Sequence, residues 1–337
     1  MPLALRRNVA LTDTISTLWD AAVSKGTSSV YQAGFRAYCV FLTLHAITWI
    51  TVVPPISEDL LIYFVAYCIH GLKIKASTIK SYLCGVRFHY LRAGFNNPLE
   101  SPEGQVYMRL HTILTGAKKI HGQQRRPRLP ITYNILHRMC HLLRCGVFTP
   151  FLDIMLETAC TLAFCGFLRC GEFCTNHTFD SSLHMCVNDV EVCQSDQCIY
   201  LQLKVSKCDP FRKGIKITLF KSNSSVCPYN VVIQYLHVRK SLFVCSPSSP
   251  LFINDVNSPL TRAMFVSYIK KILDRLGINS ALYNGHSFRI GAATSAAESH
   301  VPDHLIKTLG RWSSDCYVRY IHTSHASLQH AQRKILC

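Results

Sequence analysis

Six residues in the second half of the 337-residue chain belong to short motifs that follow one another along the sequence. The first motif reads Gly-Phe-Leu-Arg-Cys-Gly-Glu-Phe, and a lysine follows it in a turn between two predicted strands. The chain then continues with His-Ser-Phe-Arg, Leu-Gly-Arg-Trp and Tyr-Val-Arg-Tyr. The candidate catalytic residues in these motifs are Arg169, Lys207, His286, Arg289, Trp312 and Tyr320.

The two arginines suit the binding of a phosphate that gains charge during a reaction. Attack of a hydroxyl on a phosphodiester produces a pentacoordinate transition state with additional negative charge. Arg169 and Arg289 can each hold non-bridging oxygens through two parallel N–H groups. Losing one such donor typically costs about 3–4 kcal/mol of activation free energy. Trp312 adds one indole N–H donor, so these residue types favour phosphoryl transfer.

Tyr320 is the predicted nucleophile. A tyrosine hydroxyl has an ordinary pKa of about 10, so it is protonated at neutral pH. His286 is suited to accept its proton, while nearby guanidinium groups favour the phenolate. Lys207 is suited to protonate the leaving 5′ oxygen. Because a covalent phosphotyrosine conserves the energy of the broken phosphodiester bond, that bond can be formed again without ATP.

Single motifs of this set are weak evidence, and some assignments stay open. His-x-x-Arg occurs four times, where chance gives about one, and an isolated Arg-x-x-Glu is more often a surface salt bridge. Arg311 competes with Trp312, which we prefer, and Tyr317 competes with Tyr320. The acid could also be a basic neighbour of Lys207, namely Lys204, Arg212 or Lys213. The prediction therefore depends on the joint order of motifs and elements.

The elements around these motifs are predicted to be mixed. An apolar helix spans residues 151–168, and strands follow at residues 187–192, 199–204 and 215–219. Helices resume near Pro228, over residues 261–276 and repeatedly from His286 onward. Helices on either side of a small antiparallel sheet predict an α+β catalytic domain over residues 131–337.

The first half is predicted to be helical. Capping residues and apolar periodicity place helix starts at Ser28 or Ser29, Ser57, Ser77 and Ser101. These helices predict an all-α, four-helix domain over residues 25–117, after an N-terminal tail of residues 1–24. Residues 118–130 are basic and interrupted by proline, which is typical of an interdomain linker.

The charge of the chain is strongly positive. The formal net charge is +17, and residues 73–138 contribute twelve basic residues and two acids. Such a stretch attracts a polyanion because binding releases condensed counterions. The candidate DNA-binding residues are Lys73, Lys75, Lys80, Arg87, Arg92, Lys118, Lys119, Arg125, Arg126 and Arg128.

The cysteines and apolar runs indicate a reduced, soluble, intracellular protein. No apolar run reaches the roughly 20 residues that a membrane-spanning helix needs, and no signal peptide is evident. Most of the 17 cysteines lie in apolar runs, as small hydrophobic residues do. A zinc site in the cluster from Cys160 to Cys186 is disfavoured because that cluster lacks a Cys-x-x-Cys pair, so no metal site is predicted.

The order and wording of the motifs resemble the catalytic domain of tyrosine recombinases, the phage-integrase-like family. They are similar to its eukaryotic mobile-element branch, such as DIRS-like, Ngaro-like or Crypton-like elements. The helical first half resembles the family's SAM-like core-binding domain. The resemblance implies a clamp around double-stranded DNA, a homotetramer on two DNA sites, a 3′-phosphotyrosine intermediate, and no cofactor, metal, membrane or small-molecule substrate. Its activity would be site-specific recombination or integration in the nucleus.

Two other functions compete with this interpretation. A type IB topoisomerase uses similar chemistry, but its tyrosine follows a Ser-Lys pair that is absent before Tyr320. A host-captured, non-catalytic DNA-binding protein would lack selection for the catalytic residues, yet every catalytic position is filled here.

Overall fold

The computed structural model describes residues 8–120, 128–176, 178–209, 211–321, 329 and 332–333, without the side chains of residues 319 and 320. The chain divides into two compact units, Met1–Arg125 and Arg126–Cys337. Helices make up the first unit, and the second combines helices with a small sheet. The predicted fold class, an all-α domain followed by an α+β domain, is confirmed.

Five helices form the described part of the first unit. Side-chain oxygens of Asn8, Ser24 and Ser57 accept hydrogen bonds from the first turns of three of them, as expected for N-caps. Apolar side chains such as Tyr38, Phe64 and Val86 are buried in a shared core. The helices are α1 (Val9–Ala21), α2 (Lys25–Leu44), α3 (Glu58–His70), α4 (Ala76–Arg92) and α5 (Met108–Ile120).

Helix α1 lies within the segment expected to be a tail. The ring of Trp19 packs edge-on against Phe88 of α4, with 5.5 Å between the ring centroids. Arg92 donates to the carboxylate of Asp20 at 2.6 Å and to the hydroxyl of Ser16 at 2.9 Å. These contacts with a distant part of the sequence hold α1 against the helical domain.

Two predicted helix starts in the first unit are wrong. Helix α2 begins at Lys25 because Ser24, and not Ser28 or Ser29, accepts the hydrogen bond from the amide of Thr27. The helix expected at Ser101 begins at Met108. A turn at residues 101–104 precedes it and ends at Gly104, whose φ of +80° leaves the helical region.

Helices α2 and α4 approach each other closely through two glycines. A Cβ atom added to Gly85 would lie 2.3 Å from the backbone oxygen of Tyr31, and one added to Gly34 would lie 2.4 Å from the Cα of Tyr82. Only residues without a side chain allow the two backbones to approach this closely.

The second unit places a three-stranded antiparallel sheet beside its helices. The strands β1 (Val190–Cys193), β2 (Cys198–Leu203) and β3 (Ile215–Phe220) pair in sequence order, close to their predicted positions. Helix α7 is buried along most of its length and forms the centre of the core. The helices are α6 (Tyr133–Arg144), α7 (Pro150–Cys165), α8 (Cys170–Phe173), α9 (Pro228–Leu242), α10 (Arg262–Arg275), α11 (Ser287–Glu298) and α12 (Asp303–Leu309), followed by a 3₁₀ helix (Asp315–Tyr320).

The two ends of the predicted linker belong to the neighbouring units. Lys118 and Lys119 lie in the last turn of α5. The amides of Leu129 and Ile131 donate to the carbonyls of Leu282 and Ser287 at 3.0 and 2.9 Å. Within the described residues, no helix has both the length and the apolar character that crossing a membrane requires.

The close contact between α2 and α4 gives a prediction about stability. Gly85→Ala should lower the free energy of unfolding by about 1–3 kcal/mol, as overpacked core sites do. Gly116→Ala is the matched control, since it adds the same methyl group to helix α5 where no atom lies within 4 Å. It should be neutral or gain about 0.5–1 kcal/mol from helix propensity. Urea unfolding of both variants tests this, and equal stabilities would contradict the close packing.

Candidate active site

The end of helix α7 positions the first candidate arginine. Gly166 follows the helix, and Phe167 adopts a φ of +47°, which turns the chain away from the helix axis. Leu168 is buried, and Arg169 precedes the short helix α8. The helix predicted to reach Leu168 therefore ends three residues earlier, and the turn directs the Phe167 carbonyl into the site.

The carboxylate of Glu172 is the centre of the site. It is buried, with a side chain 4% exposed. It accepts hydrogen bonds from the Arg169 amide at 2.8 Å and from the Arg169 guanidinium at 3.0 Å. The Ser206 hydroxyl donates to it at 2.8 Å, and the Arg311 guanidinium donates at 3.0 Å. One carboxylate thus fixes groups from three separate parts of the chain.

The surroundings of Glu172 keep it ionised. Burial alone raises the pKa of its carboxyl group. The charge of Arg311, the hydrogen bonds from the Arg169 amide and the Ser206 hydroxyl, and the charge of Arg169 outweigh burial and lower the pKa overall. A negative charge is therefore present at neutral pH.

Arg289 is completely buried, yet no described carboxylate pairs with it. Its guanidinium donates to the carbonyl of Phe167 at 2.6 Å and to the carbonyl of Gly310. Its central carbon lies 4.5 Å from the ring centroid of Trp312, which is a cation–π contact. Burial and the charges of Arg169 and Arg311 lower its pKa to about 10, so it remains a cation at neutral pH.

Arg311 and Trp312 both reach the site, on different sides of it. Arg311 donates to the carbonyls of Gly166 and Phe167 as well as to Glu172, so its charge adds to the arginine cluster. Trp312 is 8% exposed and lies beneath Arg289. A Cβ atom on Gly310 would fall 1.7 Å from the indole ring, which explains why glycine precedes this pair.

His286 lies at the start of helix α11, three residues before Arg289. Its backbone amide donates to the side-chain oxygen of Asn284 at 2.9 Å. Burial is the main cause that lowers its pKa to about 4, and the charges of Arg289, Arg128 and other arginines add to it. The imidazole is therefore neutral at neutral pH and is able to accept a proton.

Lys207 lies on the turn that follows strand β2, and its side chain is exposed. The residues on either side of it touch the site. Ser206 donates to Glu172, and the thiol of Cys208 lies 3.6 Å from the Arg169 guanidinium. The turn therefore holds the backbone of Lys207 beside Arg169.

The competing lysine Lys204 is held elsewhere. Its ammonium group lies 2.5 Å from the carboxylate of Asp189, and it donates to the carbonyls of Ser181 and His184. Arg212 and Lys213 are exposed farther along the same loop. These contacts favour Lys207 over Lys204 as the predicted acid.

The backbone of Tyr320 ends the 3₁₀ helix after α12, and its side chain lies outside the described residues. The competing Tyr317 is 5% exposed and belongs to a small core cluster with Phe167 and Ile306. Its ring lies 5.8 Å from the ring of Trp312. Tyr317 thus has a packing role, and Tyr320 remains the predicted nucleophile.

No protein-family model matches this chain, and no curated protein matches it. Solved structures do match. The XerH site-specific recombinase bound to palindromic difH substrate has a TM-score of 0.57 at 15% identity, with coverage of 82% of this chain and 72% of that one. The chain has the tyrosine recombinase fold.

Two further structures support the same fold. The Tn1549 transposon integrase in complex with transposon right end DNA has a TM-score of 0.56 at 11% identity, covering 92% of this chain and 99% of that one. A lambda integrase dimer bound to a core site has a TM-score of 0.54 at 15% identity, covering 93% and 94%. Sequence identities this low establish the fold alone.

The arginines of the four His-x-x-Arg pairs in the sequence have different surroundings in this fold. Arg92 pairs with Asp20, and Arg144 pairs with Glu157, so these two are ordinary ion pairs between helices. The pair at residues 330 and 333 includes a residue outside the described part. Arg289 differs because it is completely buried and has no carboxylate partner among the described residues.

The predicted DNA-binding residues have different surroundings. The side chains of Lys73, Lys75, Lys80, Lys118, Lys119 and Arg128 are exposed, and Arg87 is half-buried. Arg92 is exposed and forms an ion pair with Asp20, so its DNA contact stays a prediction. Arg125 and Arg126 lie outside the described residues.

The sequence interpretation missed the role of Glu172. Arg-x-x-Glu on a helix is more often a surface salt bridge, but here the glutamate is buried and binds two arginines and a serine. Arg169 is the N-cap of the short helix α8 and Glu172 lies inside that helix, so the spacing of the motif was the only local signal for this pair. No comparable signal marks Ser206 or Cys208, because their contacts with the site depend on the fold.

The central carboxylate gives a prediction about acid stability. Glu172→Gln should lower the free energy of unfolding by about 3–5 kcal/mol, because it leaves buried guanidinium charges without their partner. Since the folded-state pKa is lowered, this stabilisation is present above the ordinary carboxyl pKa and is lost as the pH falls through the folded-state value. The variant should therefore lose less stability in acid than the parent protein.

Urea unfolding over a pH series measures both effects. Glu298→Gln is the control, because Glu298 is exposed and its replacement should change stability by no more than about 0.5 kcal/mol. Equal stability of the two variants at neutral pH would show that Glu172 does not organise the site.

Proposed function

We propose that this protein is a tyrosine recombinase, which cuts and rejoins double-stranded DNA through a 3′-phosphotyrosine intermediate. The observation that carries the proposal is the charge of the site. Three guanidinium groups, of Arg169, Arg289 and Arg311, lie close together in the described chain, and the carboxylate of Glu172 pairs with only two of them, Arg169 and Arg311. The excess positive charge suits a phosphate group.

The surroundings of Arg289 support phosphate binding. A buried cation is costly unless an anion or a full set of acceptors compensates it. Carbonyl oxygens satisfy part of its guanidinium, but they carry no full negative charge. The transition state of phosphoryl transfer carries more negative charge than the bound phosphodiester. The cluster therefore stabilises the transition state more than the ground state.

The proposed reaction assigns one proton transfer to each of two residues. The Tyr320 oxygen attacks phosphorus, and its proton passes to the neutral imidazole of His286. The bond from phosphorus to the 5′ oxygen breaks, and Lys207 supplies the proton for that oxygen. Attack by a 5′ hydroxyl on the phosphotyrosine reverses the sequence and rejoins a strand. The ring of Trp312 packs against the Arg289 guanidinium.

The proposed DNA contacts are made by the exposed lysines of the first unit and, in the second unit, by Arg128. The recombinase and integrases that this chain resembles were solved with DNA, which supports double-stranded DNA as the partner. We further propose integration or excision of a eukaryotic mobile element in the nucleus, by a homotetramer on two DNA sites. The amino-acid sequences of the catalytic motifs, which are similar to those of the mobile-element branch, support this assignment.

Tyr320→Phe tests the proposal directly. The change removes only the nucleophilic oxygen, so DNA binding should persist while the covalent adduct disappears. Nicked suicide substrates trap that adduct, and gel electrophoresis under denaturing conditions measures it. Tyr317→Phe is the matched control, because the buried ring keeps its packing and adduct formation should continue.

The alternatives give different outcomes in the same assay. An adduct that forms with Tyr320→Phe would refute the nucleophile assignment. DNA binding without any adduct from the parent protein would favour a non-catalytic DNA-binding protein. Relaxation of supercoiled DNA without strand exchange would favour a topoisomerase.

Lys207→Ala should reduce cleavage of ordinary DNA, because the 5′ oxygen then leaves without a proton. A 5′-bridging phosphorothiolate leaves without protonation, so the variant should cleave that substrate nearly as fast as the parent protein. Lys213→Ala, an exposed lysine of the same loop, should cleave both substrates normally. Single-turnover cleavage measures the rates. If the phosphorothiolate substrate restored cleavage by Lys213→Ala and not by Lys207→Ala, Lys213 would be the acid.

A further inference from the structure

The turn between strands β1 and β2 brings two thiols and a carboxylate together. The Sγ atoms of Cys193 and Cys198 and a carboxylate oxygen of Asp196 all lie within 4.8 Å of one another. Among the described residues, no other group of three histidine, cysteine or acidic side chains is arranged in this way. This cluster lies at the opposite end of β2 from the turn that carries Lys207.

The strand register explains why the two thiols meet. Cys193 ends β1 and Cys198 begins β2, and the two residues are directly opposite in the antiparallel ladder. Side chains of opposite residues project on the same face of the sheet, with Cβ atoms about 4.5–5.5 Å apart. The turn of residues 194–197 then places Asp196 beside both thiols.

We propose that Cys193, Asp196 and Cys198 bind a zinc ion. Thiolate and carboxylate ligands suit zinc, whereas calcium and magnesium take oxygen ligands and an iron–sulfur cluster typically uses four cysteines. Ligand atoms of a tetrahedral zinc lie roughly 3.3–3.8 Å apart, so a side-chain adjustment of about 1 Å completes the geometry. The sequence analysis had predicted no metal site.

Burial and a hydrogen bond to the carboxylate of Asp196 favour the same ion. Cys198 is completely buried, Cys193 is half-buried and Asp196 is exposed. An ion bound by all three would therefore lie at the protein surface, with one coordination position open to water. The Tyr200 hydroxyl donates to Asp196 at 3.4 Å, which is the kind of contact that orients a ligating carboxylate. No described cation forms an ion pair with Asp196, so its charge is available to the metal.

In the proposed site the ion has three protein ligands and one water, and it links two strands. Zinc joins the ends of β1 and β2 across their turn. Because β2 leads directly into the loop of Lys207, the ion limits the movement of the strand that carries this loop. The site does not depend on the proposed recombinase activity, and its test uses metal binding alone.

Cobalt(II) is the probe, since it occupies zinc sites and gives thiolate charge-transfer and tetrahedral ligand-field absorption. The full chain, kept reduced and freed of metal by a chelator, is titrated with cobalt and then with zinc. We expect one cobalt ion per chain with both absorption features, displacement by zinc, and release of thiol protons on binding.

Three variants connect this signal to the turn. Cys193→Ser should abolish the thiolate band, Asp196→Asn should weaken binding by tenfold or more, and Tyr200→Phe should weaken it by about tenfold. Cys245→Ser, a half-buried cysteine on a different loop, should bind cobalt like the parent chain. Circular dichroism verifies that each variant is folded.

Two outcomes overturn the proposal. One is a reduced parent chain that shows no thiolate band with cobalt, and mass spectrometry of protein purified without reductant would then show whether Cys193 and Cys198 form a disulfide instead. The register also permits a disulfide, because opposite residues of an antiparallel ladder have Cα atoms about 4.5–5.5 Å apart. The other outcome is a band that persists unchanged in Cys193→Ser, which would place the metal at other cysteines.

Discussion

The buried carboxylate of Glu172 is the interaction on which the site depends. It binds the guanidinium groups of Arg169 and Arg311 and the hydroxyl of Ser206. These groups come from the end of helix α7, from the loop after α12 and from the turn after β2. Other contacts join these elements too, such as those of Arg311 with the carbonyls of Gly166 and Phe167, but the carboxylate is the one group that all three share. Since buried charges require partners, the fold and the site depend on each other.

The same carboxylate leaves the site positively charged. Arg289 adds a third guanidinium and is compensated by carbonyl oxygens and the ring of Trp312. Burial is the main cause that lowers the pKa of His286, and the charges of Arg289, Arg128 and Arg169 add to it, so two arginines of the site help to keep this imidazole neutral. A bound phosphate would offset part of this effect, because its negative charge favours the imidazolium.

The small sheet places different chemistry at its two ends. One end of β2 leads into the turn whose Ser206 and Cys208 contact the arginine site and thereby hold Lys207 beside it. The other end carries the cluster of Cys193, Asp196 and Cys198. The hydrogen bond from Ser206 to Glu172 joins the loop to the site, while the side chain of Lys207 is exposed.

The sequence by itself determined the fold class, the three strands, most helices and the order of the candidate catalytic residues, because caps, periodicity and motif spacing are local properties. It did not predict helix α1, the start of α5 or the central role of Glu172. It also left Lys204 beside Lys207 and Arg311 beside Trp312 as alternatives. Tertiary structure decided that Lys204 pairs with Asp189, that Tyr317 is buried and that Arg289 meets no carboxylate among the described residues. These outcomes depend on contacts between residues far apart in the chain, and no local pattern encodes which distant side chain a charge will meet.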